Sequence, residues 1–422
     1  MTKKEQITVS IFCLTYNHKD YIRDAIEGFL SQQTNFNYNI YIYDDASTDG
    51  TSDIVREYAK KFPELITAHI CQENTFHMPG IGKKHAEIRA SLSGKYIALC
   101  EGDDYWIDSH KLQRQVDYME QHEECSMLMH NSIWWNYDDM SVRAANPFYT
   151  DVGYKELTPR EIIMQEHGNP ATASFLYRKD MMPDFFYESS VGDYPLQLYM
   201  LTKGKVVYDS RIMSVYRFHT PGSYNVMTTA DENHKVFFYM GLITFLLKYD
   251  EYTMNKEHVT ISDRLQRLIS VFFENIDGNK SLQDYINQGV AIGKINFEIS
   301  SELIIKLEKL RKQIYDLDYY SEDVHRYCAS HVTIWVMGTG KFAAIISEQL
   351  ERNGQGIEGY CVSKYNTEQN LFRGKKVVAL RELADKNAGI IVAINPIDRE
   401  DIKNSLETAG IKDYFNPFVF LN

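Results

Sequence analysis

Cysteine is scarce and scattered in this 422-residue chain: six residues, at positions 13, 71, 100, 125, 328 and 361, with no C-x-x-C pair. That excludes a disulfide framework and fits reduced thiols of a cytosolic protein, with Cys13 and Cys100 inside apolar, strand-like runs. Long apolar runs are missing too. The most apolar stretch, Phe237 to Leu247, is ended by Lys248, short of the ~20 residues a membrane span needs. Met1-Thr2-Lys3-Lys4-Glu5-Gln6 leads directly into a strand pattern without a long apolar signal region, so the expected location is cytoplasmic, at most peripheral at the inner face of a membrane. An excess of positive charge is the third absence. Residues 1–230 carry 22 Lys+Arg against 31 Asp+Glu, residues 231–330 carry 12 against 16, and residues 331–422 carry 11 against 11, for a net −13. Nucleic-acid binding by phosphate neutralisation is thereby excluded, and a phosphate-bearing substrate would need a metal beside the acidic first segment.

What is present is enough apolar material for substantial cores (44%), in a length suited to two or three domains. Ile7 to Leu14 reads as a strand, Asp20 to Leu30 as a helix, Ile40 to Tyr43 as a second strand and Ser52 to Lys61 as a second helix. Ile66 to Ile70 reads as a third strand, followed by a helix over His85 to Leu92 and a strand over Lys95 to Leu99. Strands alternating with helices predict an α/β, parallel, doubly wound sheet. Two strands end in paired aspartates, Asp44-Asp45 and Asp103-Asp104, the second within Cys100-Glu101-Gly102-Asp103-Asp104-Tyr105-Trp106. The C-terminal edge of such a sheet is where ligands bind. Crowded carboxylates repel unless a cation lies among them, and their hard oxygens suit Mg²⁺ or Mn²⁺. A helix N-terminus with acidic first-turn residues is the plainer reading of the same pair.

Taken together, Val9-Ser10-Ile11-Phe12-Cys13-Leu14-Thr15-Tyr16-Asn17, Asp44-Asp45-Ala46-Ser47-Thr48-Asp49-Gly50-Thr51 and Lys95 to Trp106 resemble, in order and spacing, the inverting family-two glycosyltransferases of GT-A fold. The resemblance covers Val9 to Glu120. It implies a nucleotide-sugar site in which Thr15, Tyr16, Asn17, Asp44 and Asp45 hold the base and ribose. Glu101 and Asp103 would hold the rest of the donor, and Asp103 and Asp104 the metal, Mn²⁺ or Mg²⁺. The first acid of that motif is Glu101 where the family has Asp.

Further along, Trp134 and Trp135 follow a strand and suit a sugar pocket or a core equally. The loop Asn169 to Arg178 lies where family members contact donor sugar and acceptor. Asp193 opens a helix, as an N-cap would. The resemblance makes it the catalytic base, with Gly192 in place of the family's Glu. Arg217 and His219 end a last strand, and the resemblance puts Arg217 at the diphosphate and His219 at the metal; an isolated His is as readily structural. Residues 231–330 have helical periodicity, with Ile295, Ile299, Leu303, Leu307, Leu310, Ile314 and Leu317 on one face, and read as a helical connector or homo-oligomer seam. Residues 331–422 restart an α/β pattern: Val332 to Met337, then Gly338-Thr339-Gly340-Lys341-Phe342-Ala343, then a helix. This resembles small Rossmann-like domains appended to capsule and surface-glycan enzymes. Gly338, Gly340 and Lys341 form a candidate anion site, although no acidic residue follows the next strand (Ser363 stands there), so a structural domain is the other reading.

The expectation is thus an inverting, metal-dependent transferase moving a sugar from a nucleotide-diphosphate sugar, a UDP-sugar by preference, to a hydroxyl on a glycan, lipid-linked glycan or glycoprotein. The setting implied is bacterial surface glycan or capsule assembly, with no nucleic acid and no transmembrane segment. A sugar nucleotidyltransferase would show a Gly-rich basic loop after the first strand, where Thr15-Tyr16-Asn17-His18 stands. A catalytically silent scaffold would have no need of the two aspartate pairs and Asp193.

Overall fold

The computed structural model describes residues 6–415, except 77, 79, 147–152, 167, 221–232, 277–279, 292–294, 296–298, 316–320, 353, 364–369, 385–386 and 394–398. The chain forms two compact units. The first comprises residues 1–261 with 290–297, the second 262–289 with 298–422.

The first unit opens with the expected alternation: β1 (Ile7–Thr15), α1 (Ile22–Leu30), β2 (Asn37–Asp44), α2 (Thr51–Lys61), β3 (Ile66–Ile70), α3 (Ile81–Ser91) and β4 (Tyr96–Leu99). β1 pairs in parallel with β2 on one side and β4 on the other, and β2 pairs with β3. The order β3-β2-β1-β4 makes the end of β1 the point where the winding reverses, and such points open a ligand crevice. Alternate residues of β1 serve the two faces. Val9, Ile11 and Cys13 enter one core with Ile22, Ala25, Ile26 and Phe29 of α1 and Ile54, Val55 and Tyr58 of α2. Phe12 points to the other face, where its ring meets Tyr41 and His85 of α3.

The sheet departs from the all-parallel expectation beyond β4. After β5 (Tyr105–Trp106) and α4 (Lys111–Gln121) come the long β6 (Cys125–Asn136), the short β7 (Val142–Ala144) and β8 (Tyr154–Glu156), α5 (Pro159–Met164), β9 (Leu176–Arg178), α6 (Asp193–Lys203) and β10 (Lys205–Phe218). β9 lies antiparallel between β4 and β6. β10 is parallel to β6, and β5 is antiparallel to β10. The result is a mixed α/β sheet, parallel-dominated. A helix, α7 (His234–Tyr252), completes the described part of this unit up to residue 252 and packs Tyr249 on the Leu198 carbonyl of α6 at 3.1 Å. Among the described residues no helix is long and apolar enough to cross a membrane.

Gly94, in the turn before β4, has a steric reason. A Cβ there would sit 2.4 Å from the Ser10 nitrogen and 2.7 Å from the Tyr96 oxygen. Both are backbone atoms of paired strands and cannot give way. Gly94→Ala should therefore destabilise the protein by about 1–3 kcal/mol, seen as a lower midpoint in urea unfolding; an unchanged midpoint would show that the β1–β4 seam is soft.

The second unit holds β11 (Thr333–Met337), β12 (Gly359–Val362), β13 (Leu371–Phe372), β14 (Lys375–Ala379) and β15 (Ala388–Val392) in the order β13-β14-β12-β11-β15, parallel apart from β13. Omitting β13, this is again a sheet whose winding reverses at its first strand, the Rossmann-like arrangement expected. Of the anticipated helix face, Leu303 and Leu307 are buried within the helix Ser301–Tyr315, whereas Ile295 and Ile299 precede it and Leu317 lies outside the described residues.

Candidate active site at the end of the first strand

Both acidic segments are tied to β1 through main chain. Asp45 N donates to the Thr15 carbonyl at 3.0 Å and Gly102 N to the Leu14 carbonyl at 2.8 Å. Gly102 is needed for this approach, because a Cβ would lie 2.5 Å from Thr15 Oγ1. Thr15 itself is buried, and its hydroxyl has no hydrogen-bond partner among the described residues. Asn17 takes a left-handed turn (φ 54°). Its N–H donates to Ser47 Oγ at 2.9 Å and its side-chain oxygen accepts from Thr48 N at 2.8 Å, lashing the two loops together. Tyr16 between them is half-buried. Because β1 separates β2 from β4, the two aspartate pairs flank Thr15, two strand spacings or about 10 Å apart, rather than touching.

The pair Asp44-Asp45 divides its labour. Asp44 is fully buried. Its Oδ1 accepts from Ser47 N at 3.1 Å and Ser47 Oγ at 2.5 Å, and its Oδ2 accepts from Ser52 Oγ. A carboxylate satisfied in this way shapes the loop and the start of α2. Asp45 accepts from Thr75 N at 2.8 Å and Thr75 Oγ1 at 2.6 Å through Oδ1. Beside it His85 lies edge-on to Tyr43 with ring centroids 4.7 Å apart, and its Nε2 has no hydrogen-bond partner among the described residues. Burial, then the Arg89 charge, depress its pKa to about 4 against the opposing pull of Asp45, so the ring is neutral at pH 7. The motif reading passed over Thr75 and His85, since neither lies in a recognisable pattern.

The second acidic segment is strained electrostatically. Burial and then the Asp103 charge push Glu101 up to about 8, with Asp193 adding to the push and the Thr172 hydroxyl opposing it. Asp104 is likewise raised well above the usual carboxylate range, by burial first and then by Asp103 and Glu101. His18 Nε2 stands 3.8 Å from Asp103 Oδ2. Arg217 is buried against the acidic loop. Its main-chain N donates to Asp104 Oδ1 at 2.9 Å and one guanidinium nitrogen to the Asp103 carbonyl at 2.7 Å, while another bonds Asp24 of α1. The guanidinium lies over Tyr105 at 4.3 Å and Tyr21 at 5.2 Å and is only 4% exposed. Arg217 thus clamps the acidic loop to β10 and α1. His219, at φ 60°, stacks on Phe218 and bonds Asp138 through Nδ1. Among the described residues no three His, Cys, Asp or Glu side chains converge on one point as a ready metal cage, so Asp103, Asp104 and His219 are not preassembled as a set.

Trp134 and Trp135 fall on opposite faces of β6. Trp134 packs against Tyr216 and Phe218, with ring centroids 5.5 and 4.9 Å away. Asp193 heads α6, and its influence on Glu101 puts the two carboxylates in one neighbourhood. Burial raises its own pKa, countered by hydrogen bonds from Tyr194 N and Asn169. In the second unit Gly338 takes φ 118° at the end of β11, with its N–H on the Cys361 carbonyl at 2.9 Å, and nothing crowds Gly340. Lys341 heads the following helix, its ammonium 3.5 Å from the Ile276 carbonyl.

Residues 10–182 match the model of Glycosyl transferase family 2. An uncharacterized protein of Mycobacterium tuberculosis is 33% identical over 218 residues, covering 51% of this chain and 60% of the relative. The UDP-Glc:alpha-D-GlcNAc-diphosphoundecaprenol beta-1,3-glucosyltransferase WfaP of Escherichia coli is 36% identical over 112 residues, 26% of this chain and 41% of the relative. The chain thus spans less than two thirds of the length of these relatives. Among solved structures, S. aureus TarS 1–349 in complex with UDP-GlcNAc aligns with a TM-score of 0.47 at 16% identity, covering 83% of this chain and 93% of that one.

Proposed function

From a chain whose residues 10–182 match the model of Glycosyl transferase family 2, we propose a transferase that moves a sugar, with inversion, from a nucleotide-diphosphate sugar to a hydroxyl of a surface-glycan acceptor. The observation that carries the reading is the acidic loop of Glu101, Asp103 and Asp104 at the end of β4, whose charges act on one another, with Asp193 close enough to raise Glu101. Thr15, Asn17 and Asp45 line the same strand edge and are placed to receive the nucleoside. The UDP-Glc donor of the E. coli relative WfaP favours UDP as the nucleotide.

The donor set fits a divalent cation: hard carboxylate oxygens, mutually repelling, two of them held above their usual pKa range by burial and by one another. Asp103 and Asp104 would hold Mn²⁺ or Mg²⁺, which supplies charge neutralisation for the departing diphosphate. Asp193 takes the proton from the acceptor hydroxyl as that oxygen bonds to the anomeric carbon. The bond from that carbon to the diphosphate oxygen breaks, and its electron pair leaves with the nucleoside diphosphate. One displacement inverts the configuration, and no enzyme nucleophile is involved.

The test is a donor panel. The protein is incubated with Mn²⁺ or Mg²⁺ and each of the common UDP-, GDP- and dTDP-sugars, and nucleoside diphosphate release is measured. Release from one donor is expected, with water as a slow acceptor. Silence across the panel, or release of pyrophosphate from a nucleoside triphosphate and a sugar phosphate, would overturn the reading.

A further inference from the structure

We propose that Asn169 and Gln197 are positioning residues that lock the Asp193 carboxylate in rotation. The inference rests on the reading of Asp193 as the base and adds how that base is held.

α6 begins at Asp193 without any side-chain cap on its preceding residue, Gly192. Asp193 Oδ1 accepts from Tyr194 N at 2.8 Å, and Oδ2 accepts from Asn169 Nδ2. One turn further along α6, Gln197 Nε2 donates to Asn169 Oδ1 at 2.8 Å and lies 3.4 Å from the Asp193 carbonyl. The direction of this chain follows from which atoms can only accept. The Asp193 carbonyl and carboxylate offer no proton, so Gln197 must turn its NH₂ toward the carbonyl. That same NH₂ then meets the Asn169 oxygen, which leaves the Asn169 NH₂ for Asp193. Reversing either amide would set oxygen against oxygen. Gln197 is 3% exposed, and it anchors the arrangement from within the protein, whereas Asn169 is exposed at the mouth of the site.

Two consequences follow for the base. A carboxylate held at both oxygens cannot swing about its Cβ–Cγ bond, yet each oxygen retains a further lone pair for the acceptor proton. The hydrogen bonds from Tyr194 N and Asn169 also favour the charged form and work against the burial that raises the Asp193 carboxyl.

The experiment is a set of three single variants and their combinations, assayed as nucleoside diphosphate release from the panel donor that is turned over, with UDP affinity measured by calorimetry on the same proteins. Asn169→Ala, at an exposed position, should fold normally and lower kcat by about 10- to 100-fold with KM for donor and UDP affinity unchanged. Gln197→Met, close in volume and lacking the amide, should lower kcat in the same direction. The Asn169→Ala/Gln197→Met double variant should match Asn169→Ala alone within about a factor of two, because Gln197 acts through Asn169. Neither substitution should reduce the residual rate of Asp193→Asn further. Full activity of Asn169→Ala, or multiplicative losses in the double variant, would overturn the proposal while leaving Asp193 as the base. Full activity of Asp193→Asn would overturn both. If Gln197→Met does not fold, the Asn169→Ala comparison within the Asp193→Asn background still decides the matter.

Discussion

Replacing Asp193 by Asn is expected to lower turnover by about 10²–10⁴-fold, the usual contribution of a positioned general base, with the affinity for UDP unchanged. An amide occupies nearly the same volume and can still accept from Tyr194 N, which lies 2.8 Å from the carboxylate. It cannot take a proton from a hydroxyl. The loss should therefore appear in kcat, and the melting temperature should move little. The native carboxyl titrates above the ordinary aspartate range because burial disfavours its charged form. Its base function consequently disappears as pH falls through that raised value, and the acid limb of kcat/KM should lie at higher pH than a solvent-exposed aspartate would give. A variant whose turnover is normal but which no longer binds UDP would show that Asp193 serves the donor.

Neutralising the acidic loop should abolish activity and, in metal-free buffer, do no harm to stability. Asp103→Asn and Asp104→Asn each remove a ligand for the divalent ion, so nucleoside diphosphate release should fall to background, as it should for the native protein in EDTA. Native Glu101 and Asp104 are raised in pKa by burial and by the neighbouring charges, so folding confines carboxylates that repel one another. For Glu101 the ordinary value is 4.5 and the folded value about 8. Between those values the folded state binds more protons than the unfolded one, so stability falls as pH rises through the window. The native protein without metal should accordingly melt progressively lower from pH 4.5 toward 8, and Asp104→Asn should melt at or above it at the upper end. Mn²⁺ should raise the native melting temperature through binding to the folded state alone, and should not raise that of Asp103→Asn. Equal Mn²⁺ shifts in both proteins would remove the metal from this loop.

Much of the first unit could be read in advance because its signals are local. β1 to β4 and their helices follow apolar periodicity, and the aspartates are at strand ends where turn chemistry is dense. Three features escaped for different physical reasons. β9 has three residues, too few for a period, and its antiparallel direction is settled by the strands it joins. The inward turn of Arg217 depends on Asp24, 193 positions earlier in the chain, a pairing that no spacing reveals. The loop bonds of Asp44 went unread although their signal was present: an Asp followed by Ser at the third position is a local turn-forming pair. Gln197 sits one helical turn after Asp193, so its reach back to the helix start was legible, whereas its acceptor, Asn169, was not.

The clamp of Arg217 on the acidic loop also sets a schedule for folding. The loop's carboxylates leave the sheet at β4, yet their fixed geometry depends on bonds spanning 113 and 114 positions to Arg217 and on the pairing of Tyr105 and Trp106 with Val215 and Ser214. Contacts of such sequence separation form late, since loop closure must precede them. A growing chain can pair β1, β2 and β4 as soon as those strands are available, but the acidic corner stays unfixed until Phe218 has been made and docked. Pulse-labelled hydrogen exchange during refolding should find the Arg217 amide among the last of the first unit to gain protection, well after those of Ile11 and Ile42. A half-synthesised chain would then possess the crevice without a rigid site, and would be unable to spend donor before the sheet is closed.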